Sequence, residues 1–500
     1  MRVRSLVLLG ILMAVPAAAQ SHRESVTVEV VDVPVYVTAR SGEPVTGLTR
    51  EDFELYVNDK RQPIEYFDAL SSSEPAAALR ERRLFLLLFD VAFTHPHSIV
   101  RAQRAAAQLV SQAAPGDYFA IATYTSQRGV WFAAPFTRDP VALTRAIANL
   151  SDSRSGDPLS IVITSAERRT FESFSPQDVA ALGDSENVGA RIAAEGLRDM
   201  ARARTLRAAE EQVLDIGDLA ERLAPLEGEK HVILLSEGYD GRSRSPSDVR
   251  RAAPMWQADR TSAPWEGFSS LATSDAELNW RILDTHRRYQ RANVLLHAMD
   301  LEGVANTLME NNELNWLVSG TGGKFIASRN DLGRALTDLS SSLSRGYRLG
   351  FRPAPDVREG YNKIVVKLRK PPRGSRVSHR RGFYGTPDSA NLKDGLYLAD
   401  VLLNDVPQSG SAATLSLSGT TLTARIPMRE VAAQMPMGAR AELLLYAFDA
   451  NGKALLYHRE AIPVVSGDDP TITLTVPEGT QVAKALLRVD GRVGFSRVGS

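Results

Sequence analysis

A chain of 500 residues is too long for a single hydrophobic core and implies roughly two to four domains. Its 59 basic and 59 acidic residues cancel, so no long-range field favours nucleic acid or an anionic membrane; with 43% hydrophobic and 24% charged residues the composition is globular rather than disordered. The absence of cysteine excludes disulfide scaffolds, thiol chemistry and Cys-ligated zinc.

Residues 1–20 have the three parts of a secretory signal peptide. Arg2 and Arg4 supply the positive start, Leu6 to Val15 the short apolar run, and Pro16-Ala17-Ala18-Ala19 the small-residue cleavage site. No later stretch reaches about 18 apolar residues, so no stable membrane insertion is expected after cleavage. The mature chain is expected outside the cytoplasm, periplasmic or secreted.

Residues 24–70 read as strand. Val26, Val28 and Val30 alternate, and the phase then slips to Val31, Val33, Val35 and Val37, which predicts a bulge near Val30-Val31. Thr49 is placed to cap a short turn through Glu51 and Asp52, and Asn58-Asp59 follows the alternating Phe53, Leu55 and Val57 as a turn. From 80 to 344 the pattern changes. Leu84 to Phe89 is apolar on both faces and ends in Asp90, the mark of a strand inside a parallel sheet. A helix over 98–114 follows, with Ile99, Ala102, Ala106, Leu109 and Val110 on one stripe. Strands are expected at Phe119–Tyr124, Val130–Phe132, His231–Leu235, Val294–Met299 and Phe325–Ala327. Helices are expected over 139–150, 187–223, up to 291, at Leu314–Val318 and from Leu332. Two stretches, 151–185 and 241–274, read as irregular insertions. Alternating β and α elements imply a parallel sheet covered on both faces. Tyr347–Phe351, Ile364–Leu368 and Val377–Phe383 read as strands again, and evenly spaced short strands over 395–500 suggest a β-sandwich.

Three places in the second region carry a likeness. Asp90-Val91-Ala92-Phe93-Thr94 closes the first buried strand, Ser236-Glu237-Gly238 closes another, and Leu317-Val318-Ser319-Gly320-Thr321-Gly322-Gly323-Lys324 precedes the last. They resemble, in that order, the Asp-x-Ser-x-Ser metal motif, the Thr-Asp-Gly strand end and the closing helix and Thr-Gly-Gly turn of the von Willebrand factor A (vWA) domain. Pro44 to Phe53 and Arg380-Arg381-Gly382-Phe383-Tyr384 resemble the vWA-related family of acidobacteria. The likeness covers residues 25–385. It implies an α/β fold: a vWA (Rossmann-like), doubly wound, mostly parallel sheet over 80–344, flanked by β-sandwiches. One sandwich combines 24–70 with 345–385, because neither flank alone buries a good core and the ends of an inserted domain lie close together. The other is 395–500, after a linker at 391–394.

The resemblance also implies Mg²⁺ at Asp90, Thr94 and Glu237, an ion that takes six hard oxygens and keeps several waters. The sequence departs from that pattern. Ala92 lacks the hydroxyl of the first serine, and Glu237 is one methylene longer than the usual aspartate. The loop threonine has no single counterpart; Ser153, Ser155, Ser160 and Thr164 are all in range. The competing reading is a vestigial site in which Asp90 caps the helix starting near Ser98 or accepts loop N–H groups. His95 and His97 flank the loop as replacement ligands or as ordinary loop residues. Trp131 and Trp316 are expected in the core, Glu210-Glu211 on a solvated helix face, and Asp240 as a solvated loop acid.

No His-Glu-x-x-His and no Gly-x-Ser-x-Gly occurs. Gly320 to Lys324 lacks phosphate-loop spacing and precedes a strand, whereas such a loop must open a helix. The expectation is therefore an exported, non-enzymatic protein that binds a protein or cell-surface ligand. A structural envelope component with an inert vWA site is the alternative, and a hydrolase with an unrecognised site in an insertion a third reading.

Overall fold

The structure, a computed structural model, describes residues 30–40, 43–69, 82–150, 188–238, 276–301, 312–326, 331–353, 361–384, 395–465 and 467–499, with backbone only over 188–205. The expected signal peptide, the bodies of both insertions, Asp240 and the linker at 391–394 lie outside those residues, as do the four loop hydroxyl candidates.

The chain opens with β1 (Val31–Thr38), β2 (Phe53–Val57), β3 (Lys60–Gln62) and β4 (Tyr66–Ala69). Val31, Val33, Val35 and Val37 of β1 are buried together, as their alternation predicts. Asn58 and Asp59 both have positive φ, 49° and 62°, the backbone of a two-residue turn whose twist matches the β2–β3 hairpin.

The central domain runs β5 (Arg83–Asp90), α1 (Pro96–Ser111), β6 (Asp117–Thr125), β7 (Gly129–Thr137), α2 (Pro140–Ala148), α3 (Val188–Leu223), β8 (Glu229–Ser236), α4 (Ala276–Ala292), β9 (Val294–Asp300), α5 (Asn312–Ser319), β10 (Phe325–Ile326) and α6 (Leu332–Ser344). Its six strands lie in the order β10-β9-β8-β5-β6-β7, parallel throughout except for the antiparallel edge strand β7. Every residue of β5, β8 and β9 is buried, because helices cover both faces. Leu84, Leu86 and Leu88 pack into the apolar cluster shared with α3, α4 and α5. Phe85, Leu87 and Phe89 pack into the one shared with α1, α2 and α6. Helix α1 starts two residues before the expected 98 and stops at Ser111; Pro96 fills its first position, where no N–H is needed.

Strands β11 (Tyr347–Phe351), β12 (Tyr361–Leu368), β13 (Arg376–His379) and β14 (Gly382–Tyr384) return to the first four. Two antiparallel sheets result, β13-β1-β11-β4 and β14-β12-β2-β3, with Val33, Val35, Leu55, Phe53, Leu349 and Phe351 in one core between them. The stretch Val377–Phe383, expected as one strand, is two strands on opposite sheets. The chain crosses over at Arg380-Arg381, where buried Arg380 donates to Asn293 Oδ1 of the central domain at 3.0 Å. Tyr36 of β1 points away from this core and donates to Glu229 Oε2 at 3.0 Å at the foot of β8. A buried histidine pair continues the polar line: His231 Nδ1 lies 3.2 Å from His297 Nε2, and the Lys324 N–H donates to His297 Nδ1 at 3.0 Å. Burial holds both imidazoles below the usual histidine range, so both are neutral at neutral pH.

The remainder forms α7 (Gly395–Asn404), β15 (Thr414–Ser418), β16 (Thr421–Arg425), α8 (Met428–Ala432), β17 (Arg440–Phe448), β18 (Ala454–Pro463), β19 (Thr471–Thr475), β20 (Val482–Val489) and β21 (Arg492–Gly499). Sheets β15-β16-β19 and β18-β17-β20-β21 enclose a core with Ile426, Leu443, Leu445 and Leu487. Helix α7, within a stretch read as strand, belongs instead against the central domain. Asp400 forms a buried two-point ion pair with Arg82, one contact at 2.8 Å, and Asn404 donates to the Phe136 carbonyl at 2.8 Å.

Candidate binding site at the carboxyl end of the sheet

Because β5 and β8 are parallel neighbours, with Phe89 beside Leu235, their last residues open onto one rim. Ligands of open α/β sheets bind beyond these carboxyl ends. Asp90 closes β5, Ser236 closes β8, and Glu237 follows. The structure thus brings Asp90, Thr94 and Glu237 together, and also gathers Ser236, His95 and Ser98.

Asp90 is 0% exposed. Its Oδ2 accepts the Ser236 hydroxyl at 2.5 Å, and its Oδ1 accepts the N–H groups of Ala92 and Phe93 at 3.1 and 3.0 Å. It therefore braces its own loop rather than the start of α1. Burial raises its pKa to about 6, against the opposing pull of Ser236, the Gln212 amide and the two loop N–H groups. The Ser236 hydroxyl also accepts from the Gly238 N–H at 2.9 Å, and the Thr94 hydroxyl accepts from the Glu237 N–H at 3.2 Å.

The extra methylene of Glu237 carries its carboxylate to His95. Oε2 accepts the His95 backbone N–H at 3.0 Å and lies 2.5 Å from His95 Nδ1. The Glu237 side chain is 8% exposed and that of His95 44%. Burial works to raise the Glu237 pKa, but the nearby Ser98 hydroxyl and the backbone and ring of His95 outweigh it and hold the group below its usual range. Two further polar groups were not singled out in the sequence. Ser98 Oγ and both ends of the Gln212 amide on α3 are buried without a hydrogen-bond partner of good geometry among the described residues.

The strand order, the single antiparallel edge and the buried acid at the end of the central strand settle the architecture. This is a vWA-type fold. No protein-family model matches the chain, and no curated protein matches it. Among solved structures, the chain is similar to a von Willebrand factor type A protein from Catenulispora acidiphila, with 10% identity, 94% of this chain and 72% of that one covered, and a TM-score of 0.26. It is similar to the three N-terminal domains of the type V pili tip protein Mfa5 from Porphyromonas gingivalis, at 11% identity, 93% and 96% coverage and a TM-score of 0.27. It is also similar to BatB from Bacteroides thetaiotaomicron, at 10% identity, 52% and 98% coverage and a TM-score of 0.26. At such identities and TM-scores these likenesses add nothing to what the strand order itself shows.

The vWA rim fits Mg²⁺ poorly. Its donors are hard oxygens, as that ion requires, but Ala92 removes one hydroxyl, both Asp90 oxygens are engaged by the chain, and Glu237 is turned to His95. Among the described residues, no group of three or more His, Asp or Glu is placed to hold a metal. The closing turn is a packing device: the Thr321 hydroxyl donates toward the Leu296 and Val318 carbonyls, and a Cβ on Gly323 would lie 1.7 Å from the Leu296 carbonyl oxygen. Trp316 is buried in the core, Trp131 is half-buried, and Glu210 and Glu211 are half-buried rather than on a solvated face.

The rim also presents apolar surface. Val91, in the loop after Asp90, is 41% exposed. Helix α4 enters β9 at its amino end through Asn293, whose φ is 53°, so its first turns lie toward the carboxyl ends. Trp280 there is 58% exposed.

Proposed function

We propose that the protein acts outside the cytoplasm as a binding module, not an enzyme, and takes a protein or surface ligand at the carboxyl-end rim of its vWA domain. One observation carries the reading: a braced cluster of Asp90, Thr94, His95 and Glu237 stands at the mouth of the sheet with exposed Val91 and Trp280 at the same rim. An exposed tryptophan beside polar anchors suits the centre of a protein interface. The extracytoplasmic setting rests on the three-part pattern of residues 1–20. Mg²⁺ at Asp90, Thr94 and Glu237 is the finer part of the proposal; it requires Glu237 to leave His95, so binding is weak and ligand-assisted. Calorimetry with Mg²⁺ beside Asp90→Ala tests that part, and identical heats for both proteins would remove it.

The full mature chain, used as bait on an envelope fraction, tests the main reading. Trp280→Ala and Glu237→Gln are expected to lose the captured partner, while Tyr457→Ala on the C-terminal sheet keeps it. The opposite pattern would favour the second reading, in which the vWA rim is inert and the C-terminal sandwich, with Tyr457 and Val465 exposed, makes the contacts.

A further inference from the structure

The chain spends Glu237 on a histidine. In metal sites, a carboxylate that holds one ring nitrogen fixes the imidazole's orientation and tautomer and raises the basicity of the other nitrogen. Glu237 does this twice over: the same Oε2 accepts the His95 backbone N–H at 3.0 Å and faces its Nδ1 at 2.5 Å. Coordination by His95 therefore falls to Nε2. His97 stands beside it, with ring centres 5.7 Å apart and ring planes inclined by 37°. Two imidazoles sharing one tetrahedral ion, with metal–nitrogen distances of about 2.0–2.1 Å, have ring centres roughly 5 Å apart. A small rotation of the exposed His97 side chain toward the held His95 ring closes that gap. The intervening Pro96 fills the first position of α1 and, with His95 at φ −67° and ψ 145°, keeps both rings on one short stretch of backbone.

We propose that His95 and His97 form a binding site for a borderline divalent cation such as Zn²⁺, Co²⁺ or Ni²⁺, with Glu237 as its positioning residue. Nitrogen donors select these ions over Mg²⁺, which prefers hard oxygens. The site thus answers the poor fit of Mg²⁺ to the oxygen cluster next to it. Two protein ligands leave tetrahedral positions for water or for a donor from a bound partner. The inference goes beyond the proposed function: it rests on the two rings and Glu237, so metal binding succeeds or fails whatever happens to partner capture.

The test is calorimetric titration of the full mature chain with Zn²⁺, paired with Co²⁺ titration followed by visible absorption. One ion per chain is expected, with a tetrahedral Co²⁺ spectrum and no competition from Mg²⁺. His97→Ala, at an exposed position that leaves the fold intact, is expected to weaken Zn²⁺ at least tenfold and to abolish the Co²⁺ spectrum, and His95→Ala to do the same. Glu237→Gln is expected to weaken the ion 10–100-fold, with both imidazoles retained, as for loss of a supporting carboxylate. Unchanged Zn²⁺ affinity in His97→Ala and His95→Ala would overturn the proposal. So would binding that Asp90→Ala abolishes and both histidine variants keep, because the ion would then sit on the oxygen cluster.

Discussion

At the amino ends of β5 and β8, charged groups are sealed between domains. Arg82 is held by Asp400 of α7, Arg83 by Asp117, and Glu229 by Tyr36 and Arg348 of the flanking sandwich. At the carboxyl ends of the same strands, Asp90, Ser236 and Glu237 bond to groups of the vWA domain, His95 beside them reaches solvent, and Trp280 on α4 is exposed. The residue types are alike; the surroundings differ. At the foot of the sheet Asp400 and Glu229 meet a cation or hydroxyl across a domain boundary and join three domains together, while Asp117 pairs with Arg83 inside the central domain. Carboxylates at the rim meet N–H groups, a hydroxyl and an imidazole of the two rim loops of one domain, which sets the rim in shape.

The comparison predicts large stability effects at the foot and binding effects at the rim. The largest belongs to Arg82→Ala, which leaves Asp400 buried without its cation; a loss of about 3–5 kcal/mol is expected in urea unfolding. Next is Asp90→Asn. An aspartyl group ordinarily at 3.8 and raised to about 6 in the fold binds its proton more tightly when folded. Its stabilising contribution is complete below pH 3.8 and is lost as the pH rises through about 6. The asparagine variant should flatten that slope and gain up to about 3 kcal/mol at pH 8, in urea titrations containing EDTA. Unaltered pH dependence would mean that Asp90 is solvated after all. Tyr36→Phe removes one hydrogen bond to buried Glu229 and should cost roughly 1.5 kcal/mol. Trp280→Ala should change stability by no more than about 0.5 kcal/mol, as expected for an exposed side chain, while partner binding falls at least tenfold. A stability loss as large as that of Arg82→Ala would make Trp280 a foot-type residue and erase the distinction.

The sheet was legible because its strands are apolar on both faces: Leu84–Phe89, His231–Leu235 and Val294–Met299 admit little but burial between helix layers. Asp90 and Glu237 were legible as strand ends, and the parallel register brings them to one rim. Other features depend on partners distant in sequence. The split of Val377–Phe383 is set by which sheet each half joins and by the hold of Asn293 on Arg380. Helix α7 buries residues all round, from Leu396 through Leu402, so its sequence lacks the polar face that distinguishes a helix from a strand. Gln212 lies within a long helix with no local mark of function; only the pull of its buried amide on Asp90 ties it to the rim. The turn of Glu237 toward His95 follows from a single methylene and a ring on another loop.

Hydrogen exchange of the full mature chain, alone and with its captured envelope partner, tests the central claim most directly. Slowed exchange over 91–98 and 236–238, with β17 to β21 unchanged, is the predicted result. Protection confined to the C-terminal sheets, with the Asp90 and Glu237 loops exchanging as in the free protein, would contradict it.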